Sequence, residues 1–149
     1  VKRADDVIKK ALDLVKIDKI DEAISVYENF LQLEEVPEVL NNLANLYRMK
    51  GLVSKAIELY DRALKLSPSF KDAKLNLAAS FLEIGRYGEA MMILESLQNS
   101  GYESDELYLA LAVAYEKSKR ISDFIETYKK ISRPDKDDIL RSYGVEPPR

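Results

Sequence analysis

The chain has no cysteine and no histidine among its 149 residues. Without thiols there is no disulfide and no thiolate nucleophile, and the usual ligands for zinc, copper and haem are missing. A triad or general base built on imidazole is excluded on the same ground. No apolar run approaches membrane-spanning length, and no apolar segment with a cleavage site opens the chain. There is no glycine-rich phosphate loop and no loop of carboxylates with metal-binding spacing. Carboxylate pairs are frequent, but none has the apolar surround that raises a pKa for acid–base work. No cofactor, no metal and no catalytic activity are therefore expected. With no thiol to report the redox compartment, the cytoplasm is the default expectation.

What is present is an ordinary soluble composition. One third of the residues are charged, the formal net charge is −3 and the mean hydropathy is −0.28. The chain is too rich in Leu, Ile, Val and Tyr to be disordered, and long enough for one domain. Its organising stretch is Pro37 to Phe70. Leu40, Leu43, Ala44 and Tyr47 fall at helical spacing, and Ala56, Tyr60 and Ala63 do so again beyond Gly51. Pro68 then stops the chain before another helix. Two such helices leave a face uncovered, so the unit needs neighbours.

The neighbours come at fixed intervals. Ala11, Leu14, Ala23 and Tyr27 precede Ala44, Tyr47, Ala56 and Tyr60 by 33 residues. Leu77, Ala78, Phe81, Gly85 and Ala90 follow their counterparts by 34, and Leu111, Ala112, Tyr115 and Tyr128 repeat at 34 again. Asp18 and Lys119 stand where Gly51 and Gly85 make the turn, Lys10 replaces a core leucine, and Phe124 replaces a small alanine. That Phe is expected to alter the last hairpin without abolishing it. Ser69-x-x-Asp72 has the spacing of a capping box, and Ser104 is placed to cap the following helix.

This pattern resembles the tetratricopeptide repeat, a 34-residue helix–turn–helix. Leu40, Leu43, Ala44, Tyr47, Gly51, Ala56, Tyr60, Ala63 and Pro68 fall on the pattern positions of that family, with Leu40 where it often has Trp. The resemblance implies an all-α fold: a right-handed superhelix, or α-solenoid, of four repeats with a C-terminal capping helix. The expected organisation is a single repeat domain over 1–149. Repeats cover about 4–36, 37–70, 71–104 and 105–134, followed by a capping helix at about 135–143 and a frayed tail at 144–149. Ile139, Leu140 and Tyr143 are expected on the covered side of the capping helix.

The resemblance further implies that the first helix of each repeat lines a concave groove. Carried over residue by residue, the groove holds the amides Asn41, Asn42, Asn45 and Asn76. Apolar flanks are Ile8 and Leu12 on one side, and Leu75, Ala79, Leu82, Leu109 and Val113 on the other. Amides donate and accept, so such a row can hold the backbone of an extended peptide; their alternative is bonding to neighbouring helices or water. The run from Leu107 to Tyr115 is apolar on every face, which suits either a groove that receives something or a superhelix closed over itself. The function expected is protein–protein interaction, with a peptide or amphipathic helix of a partner in the groove; the rival is a self-associating structural subunit, a homo-oligomer. Met92 should face outward. A basic stripe with stacking aromatics is missing, so nucleic acid is not an expected partner, nor is a membrane.

Overall fold

The computed structural model describes residues 2–149, and among them the chain forms nine α-helices and no strand. They are α1 (Lys2–Lys16), α2 (Ile20–Leu31), α3 (Pro37–Met49), α4 (Val53–Leu66), α5 (Lys71–Glu83), α6 (Tyr87–Asn99), α7 (Asp105–Lys117), α8 (Ile121–Lys130) and α9 (Lys136–Ser142). Helices stand at the positions expected for the four pairs, and the short ninth helix is present.

Each hairpin turn is made in the same way. At the end of α3 the N–H of Gly51 bonds the carbonyl of Arg48, and that of Leu52 reaches back to Tyr47 at 2.9 Å. This pairing of carbonyls left over at a helix end requires a left-handed residue. Gly51 and Gly85 supply it with φ of 81° and 77°, and in the first and fourth hairpins Asp18 and Lys119 adopt it at 61° and 63°. In the third and fourth turns the residue after the left-handed position packs back on the aromatic from which the turn departs. Arg86 lies over Phe81 at 5.0 Å and Arg120 over Tyr115 at 4.9 Å. At the start of α3, Pro37 takes the first helical position after the extended Val36, where its missing N–H has no consequence. Ser104 caps α7 as expected, accepting from the Leu107 N–H at 3.1 Å. The Ser69 capping box does not form in that register: the Lys74 N–H bonds the Phe70 carbonyl and α5 begins at Lys71, so Ser69 lies one residue too early.

The chain divides into two compact units, Val1–Ser80 and Phe81–Arg149, with α5 running through the boundary. In the first unit α1 pairs with α2, α3 with α4, and α2 stacks on α3. Ala11, Ala23, Ala44, Ala56 and Ala63 are fully buried there, and their small side chains let the helices approach. Tyr27, Leu40 and Tyr60 fill the space around them.

In the second unit α7 is central, packed against α6, α8 and α9. Phe124 sits inside the α7–α8 hairpin, buried, with its ring 6.5 Å from that of Tyr128. The last helix is tied down at its first turn. Asp137 accepts from the Tyr128 hydroxyl at 2.6 Å, and the Lys136 ammonium donates to the Tyr128 and Ile131 carbonyls at the end of α8, where the helix dipole favours a cation. Leu140 is buried and Ile139 half-buried, but Tyr143 is exposed. Its place in the core is taken by Val145, expected in the frayed tail and found only 1% exposed. The Val145 N–H bonds the Leu140 carbonyl at 3.0 Å, and the left-handed Gly144 turns it inward.

Candidate functional site

The candidate groove residues occupy the first helices of the hairpins, and in the first unit three of the amides are hydrogen-bonded to side chains of other helices. Asn41 on α3 is buried and accepts at Oδ1 from Asn76 Nδ2 on α5, 3.1 Å away. Asn76 is held in turn by its backbone, whose carbonyl accepts from Ser80 Oγ at 2.8 Å. Asn45, one turn beyond Asn41, accepts from the hydroxyl of Tyr60 on α4. These amides therefore bond neighbouring helices, as one of the two readings of the sequence had it. The bonds do not exhaust them: an amide offers two N–H donors and a carbonyl with two lone pairs. Asn42, Asn45 and Asn76 are only half-buried.

The structure separates the apolar candidates into two sets. In the first unit Leu12 is 47% exposed, and Ile8, Leu75 and Ala79 are half-buried. In the second, Leu82 and Leu109 are each 7% exposed and Val113 2%. Leu107 to Tyr115 is buried apart from the half-buried Ala110. Helix α7 is thus enclosed nearly all round, as its uniform apolarity required. The accessible mixture of amide and apolar side chains belongs to the first unit. Met92 points to solvent as expected.

Tyrosine hydroxyls, which sequence reasoning passed over, organise the polar interior. Tyr60 has Asn45 as acceptor, but the matching Tyr27 of the first hairpin has Leu12 where Asn45 would stand. Its hydroxyl is buried without a hydrogen bond. Burial pushes its pKa up, while the nearby Asn42 amide pulls it partly back. Between hairpins a second pairing recurs. Tyr47 on α3 donates to Glu28 on α2, and Tyr115 on α7 donates to Glu95 on α6 at 2.8 Å. Burial first, and the carboxylate second, hold both phenols above the ordinary tyrosine range. The signal was present in the sequence as an acid 19 or 20 residues before the aromatic, at the same repeat position in both cases. At the start of α7, Asp105 accepts from the N–H and hydroxyl of Ser132, which lowers its pKa.

Among the described residues no group of three or more His, Cys, Asp or Glu can hold a metal ion. None of the described helices is long and apolar enough to cross a membrane. Chemically, this arrangement orients hydrogen-bonding groups and apolar surface.

Comparison with known proteins places the pattern. Models of the tetratricopeptide repeat match residues 37–70 and 54–102. The mitochondrial import receptor subunit TOM70 of Saccharomyces cerevisiae is 32% identical over 87 residues, 58% of this chain and 14% of the receptor. The peroxisomal targeting signal receptor of the same organism is 38% identical over 81 residues, 54% of this chain and 13% of that one. The chain thus spans about a seventh of the length of these curated relatives. Among solved structures, MamA from Desulfovibrio magneticus superposes with a TM-score of 0.83 over 97% of this chain and 83% of its own, at 21% identity. At that identity the likeness concerns the fold alone: an all-α helical-repeat solenoid.

Proposed function

The chain belongs to the tetratricopeptide-repeat family, and on that footing we propose that it is a protein-interaction module whose first-helix groove takes a segment of a partner protein. The observation that carries this reading is the half-open face of the first unit. There Leu12, Leu75 and Ala79 and the amides Asn42, Asn45 and Asn76, all on first helices, keep exposed surface. An apolar side chain of the partner seated on Leu12 or Leu75 yields about 1.5–3 kcal/mol before the costs of association. The amide groups left over from internal bonding hold the partner's backbone or polar face in register. Both relatives named above are receptors, one of them for a targeting signal, which supports recognition of another polypeptide as the general role. The reading is non-enzymatic.

Because Leu109 and Val113 are buried, the groove is best tested through the first unit. Leu75→Glu should remove partners that co-purify from the native cell while helical circular dichroism stays intact. Met92→Glu, on the opposite kind of surface, should leave them in place. Loss of partners with Met92→Glu but not with Leu75→Glu would move the working surface to the outer helices. Partners that turn out to be copies of the same chain, seen as concentration-dependent sedimentation, would favour the self-associating subunit.

A further inference from the structure

The two tyrosine–glutamate pairs between hairpins differ in one respect that points to a second binding surface. In the second unit the Tyr115 ring is covered by Arg120. That guanidinium has carboxylates for company: Asp123 at 2.8 Å and Glu95 at 3.8 Å. In the first unit the equivalent of Arg120 is the apolar Leu52, and the equivalent of Asp123 is Lys55. The cation over Tyr47 is therefore Lys55, its Nζ 4.4 Å from the ring centroid, and the exchange has removed one of the two carboxylates that the cation has in the other unit; Glu28, the counterpart of Glu95, remains nearby. None of the ion pairs among the described residues includes Lys55. Beside it lies a pocket of about 270 Å³ between α2, α3 and α4, with Leu31 and Leu59 in its wall and Arg62 at its rim. Glu28 accepts from the Tyr47 hydroxyl, which Lys55 also approaches, and Arg62 pairs with Glu35 at 3.1 Å. Lys55 is thus the cation of the notch whose contacts are with the tyrosine and not with a carboxylate in an ion pair.

We propose that this notch on the second-helix side of the first unit binds an acidic residue adjoining a large apolar one in a partner polypeptide. The carboxylate pairs with Lys55, as Asp123 does with Arg120, and the apolar side chain enters the pocket against Leu31, Leu59 and the Tyr47 ring. The pocket volume suits a side chain of phenylalanine size, and the ring face and leucine wall suit its chemistry. The surface is formed by α2 and α4 with the Tyr47 edge of α3, so it is distinct from the first-helix groove and does not depend on it.

The test uses the full chain and two blocked dipeptides, acetyl-Asp-Phe-amide and acetyl-Asn-Phe-amide, which differ by one charge at nearly constant shape. Followed by methyl NMR at low ionic strength, the acidic probe should give saturable shifts at Leu31 and Leu59. It should bind about two- to fivefold more tightly than the amide probe, the range of a partly exposed ion pair, and added salt should erase the difference. Lys55→Gln, a surface change to another good helix former, should equalise the two probes; an unchanged methyl spectrum of the free variant establishes that it is folded. Leu75→Glu should leave both titrations as they are. No saturable shift at Leu31 and Leu59 with either probe would overturn the proposal. So would equal binding of the two by the unaltered chain, or a preference that survives Lys55→Gln.

Discussion

Replacing Lys119 with glycine should stabilise the protein, although it deletes a whole side chain from the last hairpin. Lys119 is held at φ 63° by the turn between α7 and α8, in the left-handed region. There the Cβ of an L-residue crowds the following carbonyl at a cost of about 1–2 kcal/mol. Its side chain is exposed and enters none of the ion pairs among the described residues, so removing it forfeits little. Glycine relieves the strain but adds about 0.4–1 kcal/mol of chain entropy to the unfolded state. The net gain is about 0.5–1 kcal/mol, a rise of about 1–4 °C in melting temperature for a chain of this length. The bond from the Arg120 N–H to the Tyr115 carbonyl, 2.8 Å long, remains available to define the turn. Gly51→Ala is the mirror experiment. A Cβ there meets no atom within 4 Å, so any loss is backbone strain alone, of the same size and opposite sign. Asp18→Gly should change little, because aspartate tolerates this region far better than lysine. Urea unfolding by circular dichroism, at constant denaturant slope, measures all three. If Lys119→Gly and Gly51→Ala both lower stability, turn strain is not what distinguishes these positions and the reasoning fails.

Other expectations follow from the buried hydroxyls and the composition. Leu12→Asn should supply Tyr27 with the acceptor that Tyr60 finds in Asn45, recovering part of the roughly 1–3 kcal/mol that an unbonded buried donor costs; equally, Tyr27→Phe should be tolerated in urea unfolding while Tyr60→Phe loses about 1 kcal/mol. Tyr27, Tyr47, Tyr108, Tyr115 and Tyr128 all have raised pKa values, so the folded state keeps phenol protons that the unfolded chain releases near pH 10. Their contribution is fully present below that pH and is lost as pH rises beyond it; a melting temperature that stays level between pH 10 and 12 would contradict it. Chelation should leave thermal unfolding unchanged, since no group of metal-binding side chains stands among the described residues.

Much of this molecule is written in spacing. The recurrence of alanine, aromatic and turn residue at 33 or 34 positions predicts every hairpin, and Asp18 and Lys119 betray the left-handed turn because they stand where Gly51 and Gly85 do. The terminal helix was legible from the break at Arg133-Pro134-Asp135, and its ending from Gly144. Val145 was not, because a single valine after a glycine has no period to announce it; only the turn at Gly144 carries it into the core.

For the candidate site the division is sharper. Local periodicity is a property of one helix, so the sequence by itself determined which residues share a face: Asn41, Asn45 and Leu12 on first helices, Met92 away from them. How far each face is covered depends on what packs beside it, and that is a property of several helices at once. Only the tertiary structure therefore decided that Leu109 and Val113 are interior while Leu12 and Leu75 remain reachable. The same holds for the hydroxyls. Tyr27 and Tyr60 hold the same repeat position and are both buried, yet the neighbouring helix presents Leu12 to the first and the acceptor Asn45 to the second. A hydrogen bond needs a partner within about 3 Å, and that distance exists only once the helices have been brought together.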